Sequence, residues 1–284
     1  MLFVTGATGK TGQKLVKYLS EKNERFQIGV RSPEKTSFVE RKNIEIINFD
    51  FMDINSINTA LKNVDKLFLL TPIIENQVEI TKQIVDVAKK SGVNYIVKLS
   101  AIGSEDNRDL QLIRWHRETD RYIEESGISF TILRPNSFMD NFINYGASIK
   151  TDGKLYMPRG EGKVSYISVE DVAAVACEVL TTKGHKNKIY DITGPEAISV
   201  SDVALAISKA TGRPVEYVDI PEKIARQTME SAGYPKWMTE ILMEVNNAIK
   251  AGTLSEVTTV ARDITGKFTA NIKEWAIANA DAFK

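Results

Sequence analysis

The chain has 284 residues, of which 43% are hydrophobic and 26% charged, and its 37 Lys+Arg balance 37 Asp+Glu. That composition is globular rather than disordered, and a formal charge of zero supplies no field to hold a polyanion, so nucleic acid is not expected as a partner. A single cysteine, Cys177, and two distant histidines, His116 and His185, exclude an internal disulfide and a Cys-based zinc site; no metal is expected.

The opening MLFVTGATGKTG has a short apolar run with no basic region before it and a glycine-rich turn after it. It reads as a strand entering a loop, not as a signal peptide. Strand-like runs follow at Phe26 to Val30, Ile44 to Phe49, Lys66 to Leu70, Tyr95 to Ser100 and Phe130 to Arg134, the last broken by Pro135. Between them lie helix-period segments. Leu15, Val16 and Leu19 share one side of Gly12 to Glu21, and Ile80, Ile84, Val87 and Ala88 recur within Gln77 to Lys90. Leu110 to Ser126 carries Leu112, Trp115, Thr119, Tyr122 and Ile123 on one face, with Gly127 as its stop.

This alternation predicts an α/β fold, a Rossmann-type doubly wound parallel sheet with helices on both faces. Past residue 150 the alternation loosens, and two S-x-x-D sequences, Ser168 with Asp171 and Ser199 with Asp202, announce helix starts. We expect a nucleotide-binding domain over 1-150, with 164-192 returning to it. The remainder, 151-284, is expected to form a smaller, mainly helical cap over the substrate. Nowhere do ~18 apolar residues run together, so no membrane span is expected and a soluble, cytoplasmic chain is the reading.

Gly6-Ala7-Thr8-Gly9-Lys10-Thr11-Gly12 stands between a strand and a helix, the context of a dinucleotide-binding turn. Glycines there let the backbone approach a pyrophosphate, while the N–H groups of the helix start face the anion. The tripeptide Gly9-Lys10-Thr11 imitates the end of an ATP-binding P-loop, but that motif needs glycine where Val4 stands. Nineteen residues after Gly12, where an NAD enzyme places a carboxylate on the adenosine 2′-hydroxyl, stands Arg31. A guanidinium fits a 2′-phosphate bidentately, so the expected cofactor is NADP(H). Asp50 and Phe51, Thr71 and Pro72, and Ser100 end the next strands, where ligands gather in such sheets, and join the candidate cofactor contacts.

The GATGKTG loop, the VRSPEK segment, Lys98-Leu99-Ser100-Ala101, and Leu133-Arg134-Pro135-Asn136 followed by Phe138-Met139 and Asn141-Phe142 resemble the NmrA-like group of atypical short-chain dehydrogenases/reductases. The likeness continues to Asp263-Ile264-Thr265-Gly266 and the helix of Trp275. The group takes in triphenylmethane reductases, quinone reductases and agroclavine dehydrogenases. The resemblance implies a Rossmann fold and NADP binding, and brings Pro135 and Asn136 to the cofactor side. Phe138, Met139 and Phe142 are candidates for an apolar wall against a flat aromatic substrate.

The superfamily's Tyr-x-x-x-Lys pair is missing from its usual helix. Of all the tyrosines only Tyr18 has a lysine four residues on, Lys22, and both lie on the first helix. His116-Arg117-Glu118-Thr119-Asp120 stands where the pair would fall, which makes His116 the candidate catalytic residue. Hydride delivery to a cationic carbon needs no acid, because the added hydride neutralises the charge. The first reading is therefore an NADPH-dependent oxidoreductase acting on a small, electron-poor conjugated compound such as a quinone, an imine or a dye-like cation. The second is a redox sensor that binds NADP without turnover and acts through a protein partner. Cys177, inside an apolar helix stripe, reads as a buried small hydrophobe.

Overall fold

The structure, a computed structural model, describes residues 1–36, 42–103 and 110–284. In chain order the first elements are β1 (Leu2–Val4), α1 (Lys10–Glu21), β2 (Phe26–Val30), β3 (Ile44–Asn48), α2 (Ile54–Ala60), β4 (Lys66–Leu69) and α3 (Gln77–Lys90). Then come β5 (Tyr95–Leu99), α4 (Gln111–Glu125), β6 (Ser129–Pro135), α5 (Gly146–Asp152), β7 (Lys154–Met157), α6 (Val169–Thr181) and β8 (Lys188–Ile192). The C-terminal part holds α7 (Val200–Thr211), β9 (Glu216–Asp219), α8 (Glu222–Ser231), α9 (Lys236–Lys250), α10 (Val260–Thr265) and α11 (Ile272–Ala278).

Seven strands form one sheet in the order β3-β2-β1-β4-β5-β6-β8. Pairing is parallel, with Leu2 opposite Phe26 and Lys66, Phe26 opposite Ile44, Tyr95 opposite Lys66 and Ser129. Every residue of β1 and β5 is buried, as expected for strands covered on both faces. On one face Phe3, Leu67 and Ile96 pack with Ile57 of α2, Ile80, Ile84 and Ala88 of α3, and Ile123 of α4. α1 packs with α6, burying Leu15, Val16 and Leu19 beside a helix whose Val172, Val175, Ala176 and Val179 are also buried. This is the expected doubly wound sheet.

The chain divides into two compact units. The first comprises Met1–Asp109, Ile113–Pro135 and Val169–Asp191; the second comprises Leu110–Leu112, Asn136–Ser168 and Ile192–Lys284. Within the second unit, Phe142 meets Tyr166 and Trp275 edge-on at 5.1 and 6.5 Å between ring centroids, and Trp275 lies 6.0 Å from Phe283. Helix α7 starts with the foreseen capping box, Ser199 accepting from the Asp202 amide while the Asp202 carboxylate accepts from Ser199. Asn271 and Glu274 make a second one at α11.

Two features depart from the sequence reading. Helix α2 goes unread because only seven residues form it; Asp53 caps it by accepting from the Asn55 amide at 2.9 Å. The second unit is mainly helical, as expected, but it also carries a small two-stranded sheet that the sequence reading did not contain. β7 pairs in parallel with β9, Lys154 opposite Glu216, and four-residue strands with such distant partners leave little local pattern.

Candidate cofactor and active site

The glycine-rich loop sits at the carboxyl ends of β1 and β4, held by Thr5, whose Oγ1 accepts from the Leu70 amide at 2.8 Å. Gly6 has φ +65°, a left-handed conformation that favours glycine. A Cβ on Gly12 would lie 2.1 Å from the Gly6 carbonyl oxygen, so only glycine lets α1 start this close to the loop. Gly9 is the N-cap and has no side chain to occupy the first amides, and no acidic residue lies in the first turn of α1. The helix start thus offers N–H groups and the positive end of its dipole beside exposed Thr8, Gly9 and Lys10, with Thr11 buried next to them. Gln13 braces the turn by donating from Nε2 to the Thr8 carbonyl at 2.9 Å.

The neighbouring strand ends carry the other candidates of the first unit. Arg31 is exposed directly after β2. Past β3, the Asp50 carboxylate accepts from the Met52 amide at 2.9 Å in a tight turn, and the half-buried Phe51 ring meets Phe49 edge-on at 4.9 Å. Thr71 is half-buried and Pro72 exposed past β4. Because the strands run parallel, all of these positions lie along one edge of the sheet.

At the same edge, β5, β6 and α4 enclose a charged cluster. Lys98, in the middle of a buried strand, has a side chain 2% exposed, and its Nζ lies 2.5 Å from Asp120 Oδ1. Ser100 Oγ donates to Asp120 Oδ2 at 2.9 Å, and Arg134 Nε lies 3.4 Å from the same oxygen. Lys98 Nζ is 3.5 Å from His116 Nδ1 and 3.4 Å from the His116 carbonyl oxygen. Burial pushes the Asp120 carboxyl up, yet the adjacent Lys98 ammonium, His116 and Arg134 outweigh it and hold the group below the usual carboxylate range. Burial lowers Lys98, with Asp120 opposing. Burial and then the Lys98 charge push the His116 imidazole down to about 3. Ser100, read from the sequence as a cofactor contact, has its hydroxyl proton engaged by Asp120. Sequence reasoning passed over Asp120 and Arg134 and assigned Lys98 no role. The available signal was an ionisable residue inside an otherwise apolar strand, facing an Asp one helical turn beyond His116.

Of the remaining candidates, Pro135 ends β6 and its carbonyl accepts from Ile102 at 3.2 Å. Asn136 spends both amide hydrogens inside the second unit, on Ser165 Oγ at 2.8 Å and the Leu254 carbonyl at 2.9 Å. Phe138 is half-buried, whereas Met139 and Phe142 are 1% exposed, the latter within the aromatic core described above. A cleft of about 640 Å³ in the second unit, lined by Arg159, Lys163, Asp219 and Lys250 among others, contains none of the predicted residues. Tyr18 and Lys22 face α6: Tyr18 donates to Glu170 at 2.7 Å, and Lys22 lies 2.8 Å from Glu178. Cys177 is buried, and burial pushes its thiol up to about 11, as befits a packing residue.

Comparison with known proteins fits this geometry. The chain is 35% identical over 283 residues to an NAD(P)H azoreductase of Xenophilus azovorans, covering 100% of this chain and 99% of that protein. It superimposes with a TM-score of 0.88 and 25% identity on an NADPH-dependent quinone oxidoreductase of Escherichia coli complexed with NADPH, covering 97% and 98% of the two chains. The Citrobacter sp. triphenylmethane reductase complexed with NADP(H) gives a TM-score of 0.87 and 25% identity over 98% and 99%. Residues 1–274 match the NmrA-like family. The chain belongs to that family.

Proposed function

We propose that this protein is an NADP(H)-dependent oxidoreductase that reduces small, electron-poor conjugated acceptors: azo dyes, quinones, iminium compounds or cationic dyes. The observation that carries the cofactor assignment is the cradle at α1, where a Cβ at Gly12 would fall 2.1 Å from the Gly6 oxygen and no capping side chain covers the helix amides. A diphosphate fits that cradle by charge and by shape. When bound, the reduced nicotinamide supplies a hydride.

The chain's own residues have three tasks. The amides of Lys10, Thr11 and Gly12 hold the diphosphate. Arg31 takes the 2′-phosphate, which favours NADP(H) over NAD(H). Asp50 and Phe51 lie at the strand end where adenine binds in such sheets. No tyrosine and lysine four apart occur on α4, so the protein works by orienting its substrate, which contributes on the order of 7–11 kcal/mol, rather than by a tyrosine proton relay. The azoreductase relationship over the full length supports acceptors with a conjugated N=N bond, and the likeness to a quinone oxidoreductase supports those with a conjugated C=O bond.

Purified protein mixed with NADPH and a panel of azo dyes, quinones, iminium compounds and triarylmethyl cations should consume the reduced nicotinamide absorbance with at least one acceptor. NADPH should be preferred to NADH. Tight NADPH binding with no oxidation across the panel would replace this reading with that of a cofactor-sensing regulator, and failure to bind NADPH at all would overturn both.

A further inference from the structure

His116 and Asp120 are four residues apart and share one face of α4, at the place where the superfamily's Tyr-x-x-x-Lys pair would fall. The lysine missing from the helix arrives instead from the sheet, as Lys98 of β5. Its Nζ reaches Asp120 Oδ1 at 2.5 Å, the His116 carbonyl at 3.4 Å, and His116 Nδ1 and Ser100 Oγ at 3.5 Å each. An ammonium has no lone pair to accept with, so an Nδ1 this close faces Lys98 with its own lone pair and not with an N–H. Nδ1 is then an acceptor, and a neutral imidazole whose Nδ1 accepts carries its proton on Nε2. No partner for Nε2 occurs among the described residues.

We propose that Lys98 is a positioning residue that fixes His116 as a neutral imidazole with its proton on Nε2, so that the ring offers the substrate a hydrogen-bond donor and not an acid. This rests on the reductase reading above and adds a role and a protonation state for His116, the candidate catalytic residue of the sequence. The charged groups facing the ring are Lys98 from β5, Arg134 from β6 and Asp120 from its own helix, two cations against one anion. That balance, together with burial, holds the ring neutral throughout the physiological range. A neutral conjugated acceptor, such as an azo compound or a quinone, that takes up a hydride gains negative charge on an adjoining nitrogen or oxygen. A fixed neutral N–H stabilises that charge and keeps its own proton, and the proton that completes the product comes from water.

Only two histidines occur, so ¹⁵N-histidine labelling gives two imidazole spin systems, and a His185→Gln variant assigns them. In the cofactor-free protein, His116 should show the Nε2–H tautomer alone and no titration from about pH 5.5 to about pH 9. Lys98→Met removes a cation and leaves the carboxylate, so the ring should lose its fixed tautomer and titrate at higher pH. Should that variant not fold, the wild-type spectrum decides: an Nδ1–H tautomer, or titration near the ordinary imidazole value, overturns the proposal. Turnover supplies a second measure. Glutamine keeps an N–H but cannot act as an acid, so His116→Gln should stay within about tenfold of wild type while His116→Ala loses roughly 10²-fold or more in kcat, with KM for NADPH unchanged. Equal losses in both variants overturn it as well. If no acceptor is ever reduced, the oxidoreductase reading fails, while the tautomer measurement still tests the role of Lys98.

Discussion

Single side chains at the sheet edge carry most of the specificity argued above. Arg31 is exposed, and in the role proposed for it charge-assisted hydrogen bonds to a 2′-phosphate would contribute about 1.5–3 kcal/mol. Arg31→Glu should therefore raise KM for NADPH by roughly ten- to a hundredfold and leave NADH kinetics nearly unchanged, measured by initial rates with each nucleotide. Gly12→Ala has no such latitude, because the new methyl meets backbone atoms at 2.1 and 2.8 Å. We expect it to abolish NADPH binding in a calorimetric titration. His116 leaves a signature in stability too. Its native pKa of about 3 lies below the unfolded 6.5, so between those values the unfolded chain holds one more proton and stability falls as pH falls. His116 alone should contribute up to about 1.4 kcal/mol per pH unit to that slope below about pH 6, beside the carboxylates that titrate there, and His116→Gln should make that part of a denaturant-derived stability profile less steep.

Whole elements show which contacts matter. α1 and α6 are joined by charged pairs: Glu170 accepts from Tyr18, is paired with Lys14, and lies 3.8 Å from Lys17. These groups are substantially exposed, and such pairs contribute about 0–1 kcal/mol. Leu15, fully buried on the same helix, should cost about 2–5 kcal/mol when cut to alanine, against less than about 1 for Glu170→Ala by urea unfolding. The helices themselves were legible because their apolar residues recur at helical spacing, as in α3, and because Ser199 and Asp202 announce α7. α2 and the β7–β9 pair were not, since seven and four residues are too few for a period to declare itself.

At the scale of the molecule, the first unit is discontinuous: it takes Val169–Asp191 from the second half of the chain and so acquires α6 and β8. A fragment ending at residue 150 would lack the helix that buries Val172, Val175, Ala176 and Val179 and would leave β6 as an open edge. Such a fragment should aggregate or unfold without a cooperative transition by circular dichroism, whereas the full chain should melt cooperatively.

What the sequence determined by itself is whatever depends on neighbours along the chain. The glycine-rich loop between a strand and a helix, the alternation that yields a parallel sheet, and the arginine after the second strand are all local patterns. Only the tertiary structure decided what depends on distant neighbours. Lys98 is an anomalous residue in a strand until Asp120, 22 positions away, is brought to 2.5 Å from it, and Asn136 and Phe142 acquire their surroundings from Leu254 and Trp275. The physical reason is burial: a charge or an amide inside the protein must find its partner there, and folding, not sequence spacing, selects which group that is.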